Sequence, residues 1–348
     1  MPKKNKRVTI HDLAQELNVS PSTVSRALND HDSIGKETKL SIKKLAKERQ
    51  YRPNTLASSL RTSRSNTIGV MVSWINRPFI SSLISGIEKA ARDAGYHVII
   101  SQSYDSVELE EENLLALYDS RISALIISLA MGTKEYSHFD LFTQNGIPIV
   151  FVDRIPYAKE LNKVYINNFN AAFEATEHLI EQGCKRIAHF GGESKQRIYE
   201  DRKAGYIAAL MKNNFEVDNS IILQANYLHA EEGTRMTEQI LNMDNPPDGL
   251  FCANDTSAVS AIQCAKRMGV KIPKELAVIG FNNDPICEII DPALSSIYHP
   301  AEEMGQAAIT QVIKMLEGKI DTESPSRIIL NTHVIVRTSS NRKGVDLE

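Results

Sequence analysis

The sequence predicts a small all-helical head followed by a two-lobed α/β core with parallel sheets. Three observations point there. Up to Gln50 the apolar residues recur at helical spacing in three short blocks. From Thr67 onward, short near-continuous apolar runs alternate with amphipathic segments, the pattern of parallel strands covered on both faces. That alternation lasts for about 280 residues, too many for one small sheet, so two similar lobes are the economical arrangement.

In the head, Thr9 caps a first helix with Asp12 three residues on, as in a capping box, and Leu13, Ala14 and Leu17 form its apolar stripe. Asn18 ends it. Ser20 is a good N-cap for a second helix, and Pro21 takes the first helical position, where its missing N–H costs nothing. Val24, Ala27 and Leu28 give that helix its buried side. A third helix is expected from about Gly35 to Gln50, with Ile42, Leu45 and Ala46 inward and Lys39, Lys43, Lys44 and Lys47 outward. A short segment, Thr55 to Arg61, and the polar link "TSRSN" lead into the core. Leu56, Ala57 and Leu60 form an i, i+1, i+4 patch on that segment. Arg49 is expected to pack its stem and solvate its head.

Core strands are expected at 67–72, 97–101, 124–129, 148–152, 186–190, 249–253 and 276–281. Helices lie between most of them. In "FISSLISGIEKAARDAG", for example, Leu83, Ile84, Ile87 and Ala91 share a face. Three segments break the alternation and are expected to cross between lobes: "DRIPYAKELNKVYINN", "FNNDPICEIIDPALSSIYHP" and a final strand near Arg327–Arg337. The expected division is a head at 1–53, a hinge helix and linker at 54–66, a core at 67–340 and a polar tail at 341–348. Within the core, lobe 1 takes about 67–156 and 285–318, and lobe 2 about 164–282 and 319–340.

A net charge of −3 conceals an asymmetry. Residues 1–64 hold 14 Lys/Arg against 6 Asp/Glu, a net +8, which leaves 26 basic and 37 acidic residues and a net −11 for the rest. A basic head on an acidic body suggests that the head alone meets a polyanion. No apolar run approaches the roughly 18 residues that span a bilayer, and the basic start leads into "VTIHDLAQELN" in place of an apolar signal core, so no membrane or export is expected. Cys184, Cys252, Cys264 and Cys287 are scattered and are expected as buried free thiols of a cytosolic chain. "FGGES" and "LAVIGFNN" form neither G-x-G-x-x-G nor a P-loop. With no HExxH and no nucleophile elbow, no enzyme, cofactor or metal is expected.

Helix, three-residue turn and second helix together match a helix-turn-helix, whose second helix enters the major groove. "NVSPSTVSRAL" is weak helical material, but a recognition helix is held by packing and needs short side chains at its start. Ser22 and Thr23 supply hydroxyls, Arg26 reaches a guanine edge or a phosphate, and the helix N-terminus favours a phosphate. The competing reading is a three-helix domain that docks on another protein.

The runs "VTIHDLAQELNVSPSTVSRALN" and "KETKLSIKKLAKERQYRPNTLASSLR" resemble the head and hinge of the lactose-repressor (LacI) family. The likeness continues through "TIGVMV", "IVFVDR", "CANDTSA", "LAVIGFNN" and "PALSSIYHP". It implies a periplasmic-binding-protein-like core and a homodimeric, cytoplasmic regulator, nucleoid-associated when bound to a palindromic double-stranded operator. It places Ser22 and Arg26 at base-reading positions, with Pro21 at a third that lacks a donor. Thr9, Ser20, Thr23, Ser25 and Asn29 match positions near phosphates. Asn54–Arg61 matches a hinge helix that orders on the operator, carrying Asn54, Ala57 and the minor-groove wedge Leu60.

Two lobes joined by crossovers make a cleft at the carboxyl ends of their strands. Asp153, Asn254, Asp255 and Asn282 stand at such ends. The resemblance adds Arg202, at the start of the "RKAGYIAAL" helix, as the residue that grips an effector, and Phe79 and Tyr227 as aromatic walls. The expected effector set is Phe79, Asp153, Arg202, Tyr227, Asn254 and Asn282, and the expected ligand is a sugar, a sugar phosphate or another sugar derivative. Plainer roles compete: an ion pair of Asp153 with Arg154, a helix N-cap for Asp255, a surface loop for Tyr227, and structural His189 and His299. Asn282 departs from the aspartate of many relatives. The core alone would also fit a sugar-binding protein for transport, against which the basic head and missing signal peptide argue.

Overall fold

The computed structural model describes residues 8–51, 65–156, 161–193, 197–320 and 325–344. The chain divides into two units, Met1–Ser65 and Asn66–Glu348. Asn54, Ala57, Leu60 and the expected hinge helix lie outside the described residues.

The head unit contains α1 (Ile10–Glu16), α2 (Pro21–Leu28) and α3 (Lys36–Glu48). The Thr9 capping box forms: Asp12 N–H donates to the Thr9 hydroxyl at 3.3 Å, and Thr9 N–H donates to the Asp12 carboxylate at 2.7 Å. Ser20 caps α2 by accepting the Thr23 N–H at 3.1 Å. Between them Asn18 takes φ 49°, the left-handed conformation that asparagine tolerates better than most residues, and so turns the chain. Leu13, Ala14, Val24, Ala27, Ile42 and Ala46 make one small core from all three helices. The Arg49 head is not simply solvated: its Nε and Nη2 donate to the two Glu16 oxygens at 3.1 and 2.8 Å. A carboxylate on α1 sits where no local pattern could reveal it.

In the core, one sheet contains β1 (Thr67–Val72), β2 (His97–Gln102), β3 (Ala124–Ile127), β4 (Ile149–Val152), β5 (Lys163–Ile166) and β11 (Arg327–Leu330), ordered β11-β5-β4-β3-β1-β2. The other contains β6 (Ile187–Gly192), β7 (Ile222–Ala225), β8 (Gly249–Cys252), β9 (Ala277–Asn282), β10 (Ser295–Tyr298) and β12 (His333–Ile335), ordered β12-β10-β9-β8-β6-β7. Neighbours run parallel throughout, except that β12 is antiparallel to β10. The connecting helices are α4 (Pro78–Asp93), α5 (Val107–Asp119), α6 (Asp140–Gln144), α7 (Asn168–Glu181), α8 (Arg197–Lys212), α9 (Ala230–Leu241), α10 (Asp255–Arg267), α11 (Ile286–Ile289) and α12 (Ala301–Leu316). Glycines set two close helix contacts. A Cβ on Gly86 of α4 would meet the Glu302 carbonyl of α12 at 2.2 Å, and one on Gly205 of α8 would meet the Phe169 carbonyl of α7 at 2.1 Å.

The crossings fall later than the sequence pattern suggests. The "KVYI" run is β5, paired with β4 and β11 in the first sheet, so the chain leaves lobe 1 after Ile166 and not near 156. Residues 285–298 stay with lobe 2, because "SSIY" pairs with β9, and the return to lobe 1 runs through His299 and Pro300. The single final strand expected at 327–337 is two: β11 joins the first sheet and β12 the second, with Asn331 and Thr332 between them. Lobe 1 therefore extends past 318 to β11. The polar tail is also partly docked. Arg342 donates from Nε to the Pro273 carbonyl at 2.7 Å and from Nη1 to Asp248 at 3.1 Å, tying residues 341–344 to lobe 2.

The four cysteines are free and buried, and burial, helped by nearby carboxylates, raises each thiol.

Candidate DNA-reading helix and ligand cleft

The burial of Val24 and Ala27 fixes which side of α2 faces outward. Ser20, Ser22, Arg26 and Asn29 are exposed, while Pro21, Thr23 and Ser25 are half-buried. At the N-terminus of α2 three hydroxyls form a knot: Ser20 Oγ lies 2.7 Å from Ser22 Oγ and 2.8 Å from Thr23 Oγ1. Asn29 at the other end donates to the Ser25 carbonyl at 2.9 Å. Thr9 is exposed at the start of α1. The helix thus offers an exposed arginine and a cluster of short hydroxyls at its N-terminus, the chemistry that meets phosphates and base edges. Pro21, at the first helical position, contributes no N–H.

The core cleft lies between the lobes, a space of about 760 Å³ with its open mouth included. All six expected effector residues line it: Phe79, Asp153, Arg202, Tyr227, Asn254 and Asn282. Helices α4 and α8 and the loops after β1, β2, β4, β7, β8, β9 and β10 bring them together with residues outside the expected effector set, among them Trp74, Arg77, Asp105, Arg154, Asp284 and His299.

Arg202 lies inside α8, which starts at Arg197, further upstream than expected. It is only 4% exposed. Its Nε donates to Asn168 Oδ1 at 2.8 Å, its Nη1 donates to the Ala253 carbonyl at 2.7 Å, and its guanidinium lies 3.5 Å from the Phe281 ring centre. Burial lowers its pKa to about 10, so it remains a cation at neutral pH. Two donors hold the fork in place out of the five a guanidinium carries.

Asp153 takes φ 55° at the end of β4 and is buried. Burial raises its pKa, opposed by Arg154 and Arg202. The expected local ion pair is not what Arg154 makes: its Nη1 pairs with Asp105, which also accepts the Trp74 indole N–H at 3.0 Å. The long-range partner wins because both residues stand at carboxyl ends of strands in the same sheet.

Asn254, not Asp255, caps α10, accepting the Ser257 N–H at 2.8 Å and donating to the Leu228 carbonyl at 3.1 Å. Asp255 sits one residue further in and is wholly buried. It accepts from Ser296 Oγ at 2.7 Å and from the Asp284 N–H at 2.8 Å. A Cβ on Gly280 would come within 2.1 Å of its Oδ1, so the network needs glycine there. Asp284, itself buried, has its pKa raised to about 7 by burial and by Asp255, against Arg77.

Tyr227 is about half exposed and stacks on His229, with ring centres 5.5 Å apart. His229 Nδ1 lies 2.8 Å from Arg77 Nη2, a contact that joins lobe 2 to lobe 1 across the cleft. Of the two histidines read as structural, His189 is buried between Tyr206 and Phe251. His299 instead lines the cleft, stacked on Phe79 with ring centres 4.0 Å apart. Among the described residues, no group of three His, Cys, Asp or Glu side chains is placed to hold a metal, and no helix is long and apolar enough to cross a membrane.

Comparison with known proteins agrees with both halves. The profile of bacterial regulatory proteins of the lacI family matches residues 9–54, and that of the periplasmic binding protein-like domain matches residues 176–340. Over 339 residues the chain is 31% identical to the HTH-type transcriptional repressor CytR of Escherichia coli (strain K12), covering 97% of this chain and 98% of that one. It is 32% identical over 335 residues to the NTD biosynthesis operon regulator NtdR of Bacillus subtilis (strain 168), covering 95% and 99%. Among solved structures, a complex of the transcriptional regulator CelR with cellobiose aligns at TM-score 0.72 and 25% identity, over 96% of this chain and 100% of that one. The Lac repressor dimer bound to operator and an anti-inducer aligns at TM-score 0.85 over 96% and 99%, and at 22% identity shows the shared fold. The chain belongs to the LacI family and is a DNA-binding transcriptional regulator.

Proposed function

We propose that the protein is a homodimeric, cytoplasmic repressor whose affinity for a palindromic operator is set by a sugar-like effector in the core cleft. The observation that carries this reading is the convergence of Phe79, Asp153, Arg202, Tyr227, Asn254 and Asn282 on one cleft at the carboxyl ends of both sheets. Planar hydrogen-bonding groups beside aromatic rings suit a ring bearing hydroxyls. The names of two relatives point the same way: a ribose operon repressor of Halalkalibacterium halodurans, 32% identical over 328 residues, and the CelR–cellobiose complex. In the head, Ser22 and Arg26 read bases, Pro21 adds apolar contact, and Thr9, Ser20, Thr23, Ser25 and Asn29 meet phosphates. Asn54, Ala57 and Leu60 complete the DNA contact in the hinge segment.

A second copy is the partner suggested by exposed apolar side chains on both lobes: Ile289 at 76% and Ile286 on α11, and Ile99, Ile100 and Leu115 on β2 and α5. An edge strand with such residues is left open on few monomers.

The test is operator titration by fluorescence anisotropy with and without candidate sugars, alongside calorimetry. Arg202→Ala should abolish the response to the sugar and leave the affinity of the sugar-free protein for the operator unchanged. Equal sugar affinity in wild type and variant refutes the cleft reading. A rise or a fall in operator affinity on sugar addition separates corepression from induction.

A further inference from the structure

His299 stands where the chain returns from lobe 2 to lobe 1, between β10 and α12, and touches both lobes. Its ring stacks on Phe79 of lobe 1 and meets the edge of Phe281 of lobe 2, with ring centres 5.9 Å apart. Its Nδ1 lies 3.3 Å from Asn282 Oδ1. An amide oxygen only accepts, so the proton of the neutral ring belongs on Nδ1, and Nε2 is left as a bare lone pair. Burial, with Arg202 adding to it, pushes the imidazole well below its usual pKa and keeps it neutral. That Nε2 is buried with no hydrogen-bond partner among the described residues, and it lies 3.9 Å from Asp153 Oδ1. Two acceptors therefore stand side by side in the cleft, and among the described residues nothing donates to His299 Nε2. A buried acceptor without a donor costs free energy, which a ligand can relieve.

We propose that His299 is a specificity-determining residue: its Nε2 and the Asp153 carboxylate form a two-acceptor edge that selects a ligand presenting two adjacent donors there. Adjacent hydroxyls or an amino group supply such donors. A phosphate or carboxylate at that place faces two acceptors with none of its own protons and is rejected. The inference rests on the reading of the cleft as an effector site. It also accounts for Asn282, whose amide oxygen fixes the tautomer. An aspartate in its place would draw a second proton onto the ring and turn the edge into a donor.

The experiment uses the full chain, with calorimetry on D-ribose, cellobiose, D-glucosamine, cytidine and ribose 5-phosphate, then on single deoxy or deamino analogues of whichever probe binds. His299→Phe keeps the ring stack and removes the acceptor. It is expected to weaken the parent probe about tenfold and to leave unchanged the affinity of the one analogue that lacks the matching donor. His299→Gln, which can accept again, should recover part of the loss. Equal weakening of the parent and every analogue, or no weakening at all, overturns the proposal. A readout free of mutation is the imidazole ¹⁵N spectrum of the wild-type chain: a neutral ring with Nε2 bare, shifting on probe binding, is expected, and a charged ring or a protonated Nε2 overturns it. Should no probe bind while operator binding is intact, the effector reading of the cleft falls, and this inference falls with it.

Discussion

The head and the core place their working polar groups in opposite environments. In the head, Ser20, Ser22 and Arg26 are exposed, and beneath them lies a core of six apolar residues with no charge in it. In the core, Asp153, Arg202, Asp255, Asp284 and His299 are buried, and Arg202 and Asp255 are held by hydrogen bonds to distant parts of the chain. The difference follows from the ligands. A duplex brings a high density of charge to an exposed surface and needs only correctly spaced side chains. A small molecule supplies few contacts, so each must be desolvated and preorganised to count. The head depends on a thin apolar foundation, and the core depends on the electrostatics of its interior.

The largest expected effect exploits that thin foundation. Leu13 is wholly buried among α1, α2 and α3. Leu13→Ala should cost about 3 kcal/mol, a large share of what so small a unit can hold in reserve. Calorimetry of the full chain should show the head transition lost or lowered, operator binding collapsed and sugar binding by the core unchanged. A single transition moving as a whole would show that the two units do not fold independently.

The same contrast governs how much of the molecule was legible in its sequence. The head was readable almost to the residue, because Thr9 with Asp12 and Ser20 with Pro21 are local signals. In the core, the runs that make β1, β3, β4, β8 and β9 were plain, since central parallel strands are apolar on both faces. Strands β5, β7 and β10 were not, being short or mixed in polarity, and their sheet membership depends on pairing partners far along the chain. Of the cleft set, Asp153, Asn254 and Asn282 were legible because strand ends announce themselves, whereas Phe79 and Arg202, which lie inside helices, and Tyr227 came only from the family resemblance. The pairing of Arg154 with Asp105 and the place of His299 on the cleft wall were hidden, for they rest on contacts between lobes or distant strands. The one available hint was a histidine directly after a strand, at "SSIYHP".

Arg26→Ala probes the exposed side of the comparison. Removal of one base- or phosphate-directed guanidinium should weaken specific operator binding about 10- to 100-fold. The thermal stability of the head should stay unchanged, since no buried contact is lost. Measured against a scrambled duplex, the loss should fall chiefly on the specific site. An equal loss on both would reassign Arg26 to phosphate contact.

His189 probes the buried side. Burial lowers its pKa from an ordinary value near 6.5 to about 4. The unfolded chain therefore binds a proton that the folded core refuses, and stability attached to this group falls as pH drops from about 6.5 toward 4. Asp153, Asp255 and Asp284 act in the opposite sense, because their raised values favour the folded state as pH falls. The histidine is therefore isolated by difference. His189→Phe preserves the stack between Tyr206 and Phe251. Relative to wild type it should gain about 2 kcal/mol between pH 7.5 and pH 5 in urea melts. A pH-independent difference would mean that the imidazole is not held neutral.

The smallest effect separates folding from recognition at one residue. Ser20 caps α2 through the Thr23 N–H and shares its hydroxyl with Ser22 and Thr23. Ser20→Ala should therefore cost the head about 1 kcal/mol as a lost cap, while Ser20→Gly should cost only a few tenths of that. Neither change removes a cation, so the slope of operator affinity against salt should stay the same in both. If the hydroxyl serves only as a cap, operator affinity of the two variants under fully folded conditions should match wild type. A loss shared equally by alanine and glycine, with the salt slope unmoved, would instead place the Ser20 hydroxyl on the DNA backbone. The head would then resemble the core in one respect: a side chain that holds the fold and touches the ligand through the same oxygen.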